Sequence, residues 1–297
     1  MSQQCLEFVT VDVFTRQTFG GNPLAVFFAA EQLSDKQMQQ IAREMNYSET
    51  TFVLPPVDTA NTASVRIFTP MNELPFAGHP NVGTGYVLAN HPSAVPTTGT
   101  VTTSTNPETG QGQASMCFEE KAGLVQVLVD MSSDDKAQQA RIAAPQALQQ
   151  RPGHTIEAMA RALNLEPDQI LGAAEGSTIV SVGIEFPVVE VGDLHALRQS
   201  SANVEQFKRL SLNPGITGAN AGVDDAFLVY VCCRKGSGEV SARMFDPLHG
   251  IPEDPATGSA AGALAGLLAQ RDNIDGHMRY QITQGVEMGR PSRIVVD

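Results

Sequence analysis

Two short stretches of this sequence hold residue types suited to binding an acid or moving a proton. Gly78-His79-Pro80 and Glu253-Asp254-Pro255-Ala256-Thr257-Gly258-Ser259 are both polar and glycine-containing, and both run on into apolar segments, Tyr86 to Ala89 and Ala263 to Ala269. A helix start offers free backbone N–H groups with the positive end of the dipole behind them, and glycine lets a ligand approach. The ligand such ends attract is an anion, and two of them, near Gly78 and Gly258, would clamp a small carboxylate. The same residues also make plain helix starts, with Pro80 and Pro255 opening buried helices and Asp254 and Ser259 capping them. Glu49 lies a few residues beyond a helical pattern and just before a strand-like run. That placement brings a carboxyl near the negative end of a helix and partly out of water, and both effects raise its pKa toward the range useful for general acid/base work. A solvent-facing glutamate at a strand start has the same local sequence, His79 also suits packing, and Asp254 before proline also suits a turn.

Other machinery is missing. The chain has no Gly-x-x-x-x-Gly-Lys loop and no His-Glu-x-x-His, Gly-x-Ser-x-Gly or zinc-type Cys-x-x-Cys spacing, and Gly83-Thr84-Gly85 lacks the third glycine of a dinucleotide turn. Neither a metal nor a nucleotide cofactor is expected. The 32 acidic residues against 19 basic ones give a formal charge of −13, which repels nucleic acid and anionic membranes. No apolar run is long enough for a membrane helix and Met1 to Cys5 does not open a signal peptide, so a cytoplasmic location is expected. The four cysteines, Cys5, Cys117, Cys232 and Cys233, read as buried or incidental thiols.

Elements that can position these residues are legible around them. Apolar β-branched runs at Phe8 to Phe14 and Leu24 to Phe28 flank the turn Gly20-Gly21-Asn22-Pro23. Ser34 with Gln37 forms a capping box ahead of Met38, Ile41, Ala42 and Met45, the spacing of one buried helix face, with Asn46 as its stop. Strands are expected at Thr50 to Leu54, Val65 to Thr69 and Val125 to Val129, with short strands and turns from Val95 to Ser115. Later strands are expected at Thr178 to Val182, Pro187 to Val191, Ala226 to Cys232 and Val240 to Phe245, after a helix through Ile156, Met159, Ala160 and Leu163 that Pro167 ends.

The chain also repeats itself. Arg66-Ile67-Phe68-Thr69-Pro70 lies over Arg243-Met244-Phe245-Asp246-Pro247, and at the same offset Pro75 falls on Pro252 and Gly85 on Gly262. With 297 residues, about two domains of ordinary size are expected. We place them at 1–131 and 154–297, with a Pro-broken, Gln- and Ala-rich junction at 132–153. Helices that are small or apolar on every side are buried. The expected fold is therefore α+β: two copies of a curved antiparallel sheet or barrel, each wrapped around one central helix.

Four segments carry a family resemblance. They are Ala42 through Leu54, Arg66 through Pro80, Glu253 through Gly262, and Gln284-Gly285-Val286-Glu287-Met288-Gly289-Arg290-Pro291-Ser292. In this order they resemble the PhzF family of phenazine-biosynthesis isomerases. The resemblance implies the diaminopimelate-epimerase-like fold, an active site between two pseudo-symmetric domains, no cofactor and a homodimer. It implies isomerisation of a small carboxylate-bearing substrate like trans-2,3-dihydro-3-hydroxyanthranilate, with Glu49 moving the proton. By the same match His79, Asp254 and Ser259 assist, Gly78 and Gly258 open the anion-binding helix ends, and Asn22 is a further substrate contact. Epimerases of this fold use a cysteine from each domain, whereas Ala77 and Thr257 stand in these motifs here, which disfavours a two-thiol racemase. The alternatives are a one-base epimerase or racemase of a small acid, or a non-enzymatic acid-binding or interaction protein of the same fold.

Overall fold

The computed structural model describes residues 5–106, 110–172, 176–212 and 227–297. Residues 1–4 of the leader reading, 107–109 of the Val95 to Ser115 reading and Ala226 of the expected strand lie outside them. By its internal contacts the chain divides into two compact units, Met1–Val13 with Pro23–Ala143, and Phe14–Asn22 with Ala144–Asp297.

The first unit holds β1 (Phe8–Val13), β2 (Asn22–Phe27, its first residue counted with the second unit), α1 (Asp35–Met45), β3 (Glu49–Leu54), β4 (Ala63–Phe68), β5 (Glu73–Leu74), α2 (Gly78–Asn90), β6 (Thr102–Thr105), β7 (Gly112–Glu120), β8 (Gly123–Met131) and β9 (Ala137–Ile142). The sheet runs β1-β2-β3-β4-β7-β8-β9, with β5 on β4 and β6 on β7. Helix α2 packs against β1 and β3 and also against β8 and β9. Strands from both ends of the sheet can meet one helix only if the sheet curls around it. Alternation along β8 turns Val127 and Val129 inward, where a Cβ on Gly85 would come within 2.5 Å of Val127. Two residues earlier on α2, a Cβ on Gly83 would come within 2.6 Å of Leu24 and 2.8 Å of Val13. Glycine is what lets both walls close on the helix. On the outer face lies α1. Ser34 and Gln37 form the expected capping box, and Met38 and Ala42 pack on Ala25, Phe27, Phe52 and Phe68.

The second unit adds β10 (Gln149–Pro152), α3 (Ile156–Leu163), β11 (Thr178–Ser181), β12 (Glu185–Glu190), α4 (Leu194–Gln199), α5 (Val204–Ser211), β13 (Val229–Gly236), β14 (Glu239–Asp246), β15 (Ile251–Asp254), α6 (Gly258–Arg271), β16 (Tyr280–Gln284) and β17 (Ser292–Val296). Its sheet runs β10-β11-β12-β13-β14-β16-β17, with β15 on β14. Helix α6 lies inside, against β11, β12 and β17. Ala260, Ala261, Leu264 and Leu268 pack there on Val180, Tyr230, Cys232 and Ile282. Outside, Met159, Leu163, Leu197 and Phe207 of α3, α4 and α5 pack on Val229, Val231 and Cys233. The vicinal cysteines therefore belong to opposite faces of β13, one in each core.

Each sheet is mixed where pure antiparallel pairing was expected. β2 with β3 and β4 with β7 are parallel in the first unit, and β12 with β13 and β14 with β16 are parallel in the second. The antiparallel pairs β3 with β4, β4 with β5 and β7 with β8 likewise recur as β13 with β14, β14 with β15 and β16 with β17. The stretch 132–153, read as a broken junction, carries strands β9 and β10, and α3 stops at a left-handed Asn164 before Pro167 is reached. Segment 14–22 belongs with the second unit because its backbone is tied there: Arg293 N–H donates to Phe14 O, and Gly21 N–H to Pro291 O.

Candidate active site

In the first unit, α1 ends at Met45 and Asn46 adopts the left-handed conformation (φ 53°), its N–H donating to Ala42 O. Asparagine tolerates that backbone, and it turns the chain so that Glu49 opens β3 opposite Leu24 of β2. The Glu49 side chain keeps 15% of its surface exposed, and its Oε2 lies 3.5 Å from Nε2 of His79, itself 5% exposed. That distance is at the outer limit of a hydrogen bond, so burial governs the imidazole and pushes its pKa down to about 3. His79 is therefore neutral at pH 7, a hydrogen-bonding group and not a cation. It is the second residue of α2, whose N-cap, Ala77, has no side-chain oxygen to occupy the first N–H groups. Gly78 and His79 are both buried there.

The second unit builds its helix start differently. Fully buried Asn22 donates from Nδ2 to Asp254 Oδ1 at 2.8 Å and to Ala256 O at 3.0 Å. The Thr257 hydroxyl donates to Asp254 Oδ2 at 2.5 Å. Gln284 Nε2 donates to Asp254 O (2.8 Å) and Thr257 Oγ1 (3.1 Å), while its Oε1 accepts from Thr257 N–H (3.2 Å) and the Tyr230 hydroxyl (3.0 Å). Ser292 Oγ donates to Pro255 O at 2.7 Å, and Arg290 holds Gly20 O and Gly21 O, each at 2.9 Å. Gly285, at φ 75°, passes so close that a Cβ would sit 2.6 Å from Pro255 O. Hydrogen bonds to a charged acceptor are worth about 1.5–3 kcal/mol each, so the two Asp254 carboxylate bonds are strong fixings for this side chain.

The capping alternative does not hold in either copy. α6 starts at Gly258, its N-cap is Thr257 without a side-chain cap bond, and half-buried Ser259 is already inside the helix. Pro255 precedes the helix and Pro80 is the third residue of α2, so neither proline occupies the opening position. The structure thus groups Glu49, His79 and Gly78 in the first unit and Asn22, Asp254, Gly258 and Ser259 in the second. Sequence reasoning missed the parts played by Thr257, Gln284, Tyr230, Arg290 and Ser292. Four of these five stand inside the motif segments, but no spacing along the chain links Gln284 to Asp254. Among the described residues, no three His, Cys, Asp or Glu side chains are grouped as a metal ion requires, and no helix is long and apolar enough to cross a membrane. Burial pushes the thiols of Cys117, Cys232 and Cys233 up, away from the reactive thiolate form.

A mixed sheet curled around a small-residue helix, present twice with matching pairing order, is the fold of the PhzF proteins and of the proline racemase and epimerase-like enzymes. A PhzF-family protein of Bacillus anthracis superposes with a TM-score of 0.76 at 23% identity, over 97% of this chain and 88% of its own. A hydroxyproline epimerase of Agrobacterium vitis superposes with a TM-score of 0.59 at 11% identity, over 98% and 83%. The family model for phenazine biosynthesis-like proteins, PhzC-PhzF, matches residues 11–297, and the chain belongs to that family. A trans-2,3-dihydro-3-hydroxyanthranilate isomerase of Pseudomonas chlororaphis is 35% identical over 292 residues, covering 96% of this chain and 87% of the relative. This protein is an isomerase of the PhzF type.

Proposed function

We propose that the protein moves a proton within a small carboxylate-bearing substrate, without a cofactor, using Glu49 as the general acid/base. The observation that carries this reading is the half-buried Glu49 carboxyl beside the neutral His79 imidazole at the uncapped start of α2. A carboxyl taken partly out of water can accept a proton from carbon and return it elsewhere, and such assistance is worth about 10²- to 10⁴-fold. His79 supplies a neutral hydrogen-bonding partner that keeps the proton local. The N–H groups at the start of α2 near Gly78 offer hydrogen-bond donors to a carboxylate, as do those at the start of α6 near Gly258, and the helix dipoles supply the attraction that the acidic surface does not. Asp254, held by Asn22 and Thr257, orients a substrate donor group, and Ser259 at the start of α6 adds a hydroxyl. Asn22 acts through Asp254 rather than as a direct substrate contact.

The substrate best supported is trans-2,3-dihydro-3-hydroxyanthranilate or a close structural analogue, which rests on the 35% identical relative named for that reaction. Incubation with this compound in deuterated water should consume it and place deuterium on carbon in the product, with no metal ion or nucleotide added. Consumption that stops on exhaustive chelation rejects cofactor independence, and unchanged substrate in every condition rejects this substrate. Function as a homodimer in the cytoplasm is part of the same proposal, read by light scattering and by cell fractionation.

A further inference from the structure

A second carboxyl, outside the proposed proton-transfer pair, is buried against the segment that leads into α2. Glu120 ends β7, and the hairpin to β8 grips this segment: Ala122 N–H donates to Pro75 O at 3.1 Å and Lys121 Nζ reaches Glu73 at 2.6 Å. Both Glu120 carboxyl oxygens are buried from solvent and have no well-formed hydrogen bond. Beside it stands Asn81, fully buried on the first turn of α2, whose Nδ2 donates to the N-cap carbonyl Ala77 O at 2.9 Å. The other side-chain atom of Asn81, Oδ1, is also buried without a donor. A buried acceptor left unfilled costs about 1–3 kcal/mol, and a carboxylate oxygen and an amide oxygen, both acceptors, cannot satisfy each other. One proton on Glu120 supplies the missing donor.

We propose that Glu120 is a positioning residue that stays protonated in the folded protein and donates its hydrogen to Asn81 Oδ1, holding the turn from Ala77 into α2. Burial pushes the Glu120 carboxyl up from 4.5 to about 8, with the Asn81 side chain opposing in part and no charged group contributing. Its charged neighbours are committed elsewhere: Glu119 accepts from the N–H groups of Val57 and Asp58 and from Asn61, and Lys121 pairs with Glu73, which also holds Arg66. The proposal does not depend on which substrate the protein takes or on whether Glu49 is its base.

The folded form binds this proton more tightly than the unfolded chain. Stability from the group is therefore complete below about 4.5 and is lost as pH rises through about 8. Between those values the wild-type folding constant should fall by up to about tenfold per pH unit relative to Glu120→Gln, whose amide keeps a donor for Asn81 and does not titrate. Denaturant unfolding of both proteins at pH 5, 6.5 and 8 reads this ratio. Infrared spectroscopy reads the proton directly, as a protonated-carboxyl C=O stretch in the wild type at neutral pH that E120Q lacks. Should E120Q not fold, Asn81→Ala decides, because losing the acceptor must shift the stretch. A wild type with no such stretch at neutral pH overturns the proposal, as does a stretch that persists in folded E120Q or stays unmoved in N81A, or identical pH slopes in wild type and E120Q.

Discussion

The two units repeat one scaffold and finish it in different ways. In each, an arginine on the strand before the inner helix grips a glutamate through two hydrogen bonds and lies over the ring of a phenylalanine two residues on: Arg66 with Glu73 and Phe68, Arg243 with Glu253 and Phe245. The inner helix then starts without a side-chain cap in both. Beyond that point the copies part. The first places a glutamate beside a neutral histidine, and the second ties an aspartate into a network of Asn22, Thr257, Gln284 and Tyr230. The frame that sets the helix ends is shared, and the proposed function gives the two ends separate tasks, proton movement and fixed orientation.

The largest effect that can break this division is on turnover. Glu49→Gln should lower kcat by about 10²- to 10⁴-fold and leave the unfolding midpoint near that of the wild type, because the amide keeps the shape and cannot carry the proton. Asp254→Asn should lower both activity and stability, because one of the two donors it faces, Asn22 or Thr257, then meets an amide N–H₂ instead of an oxygen. Steady-state rates and denaturant unfolding on the two variants separate the tasks. An Asp254→Asn protein as stable as wild type but inactive, beside a Glu49→Gln protein that is active, would reverse the assignment.

A second pair tests whether the shared arginine is worth the same in both copies. Arg243 is 9% exposed and also donates to Leu197 O, Arg198 O and Ser200 O, at and just beyond the last turn of α4, where a cation suits the helix dipole. Arg66 is 21% exposed, and its other partner, Asp35, is almost fully in solvent. Arg243→Met should therefore cost about 3–5 kcal/mol, as for a broken buried pair, and Arg66→Met about 1–2 kcal/mol. Equal losses in denaturant unfolding would mean that the duplicated ion pair, and not its surroundings, sets the energy.

What could be read from the chain follows the range over which each signal acts. The α1 capping box, its buried face and its Asn46 stop are local chemistry, and they form as the sequence implies. Helices α2 and α6 stood out because small residues on every side have no reason to exist on a surface helix. The parallel pairings did not stand out, since each joins strands separated by a helical crossover: α1 between β2 and β3, α2 between β4 and β7, α4 and α5 between β12 and β13, and α6 between β14 and β16. The six-residue α4 was missed because it carries too little periodicity to separate from loop, and α5 because Phe207 alone is buried on its face. At the candidate site, Glu49, His79 and Asp254 were legible as residue types near helix ends, and Asn22 only through the family resemblance. The Gln284 bridge was not, because its three partner residues lie 27, 30 and 54 residues away along the chain and meet it only in the folded protein.

The smallest predicted effect concerns how tightly each sheet closes on its helix, and the two copies should respond with opposite signs. At Gly85 of α2, an added Cβ would lie 2.5 Å from Val127 Cγ1, closer than real side-chain atoms approach. Val127 is fully buried and β-branched, so it has little rotamer freedom with which to give way. Overpacking of this kind costs about 1–3 kcal/mol, and the helix preference of alanine over glycine returns about 1 kcal/mol. Gly85→Ala should then be destabilising by up to about 2 kcal/mol. At Gly262, the repeat partner on α6, the nearest atom to an added Cβ is Val182 Cγ2 at 3.8 Å, an ordinary contact. Nothing opposes the helix preference there, so Gly262→Ala should stabilise by about 0.5–1 kcal/mol. Urea unfolding of the two variants gives the signs. If both stabilise, Val127 can move aside and glycine at 85 is not what lets the first sheet close; if both destabilise, α6 is held as tightly as α2 and the two copies differ only at their tips.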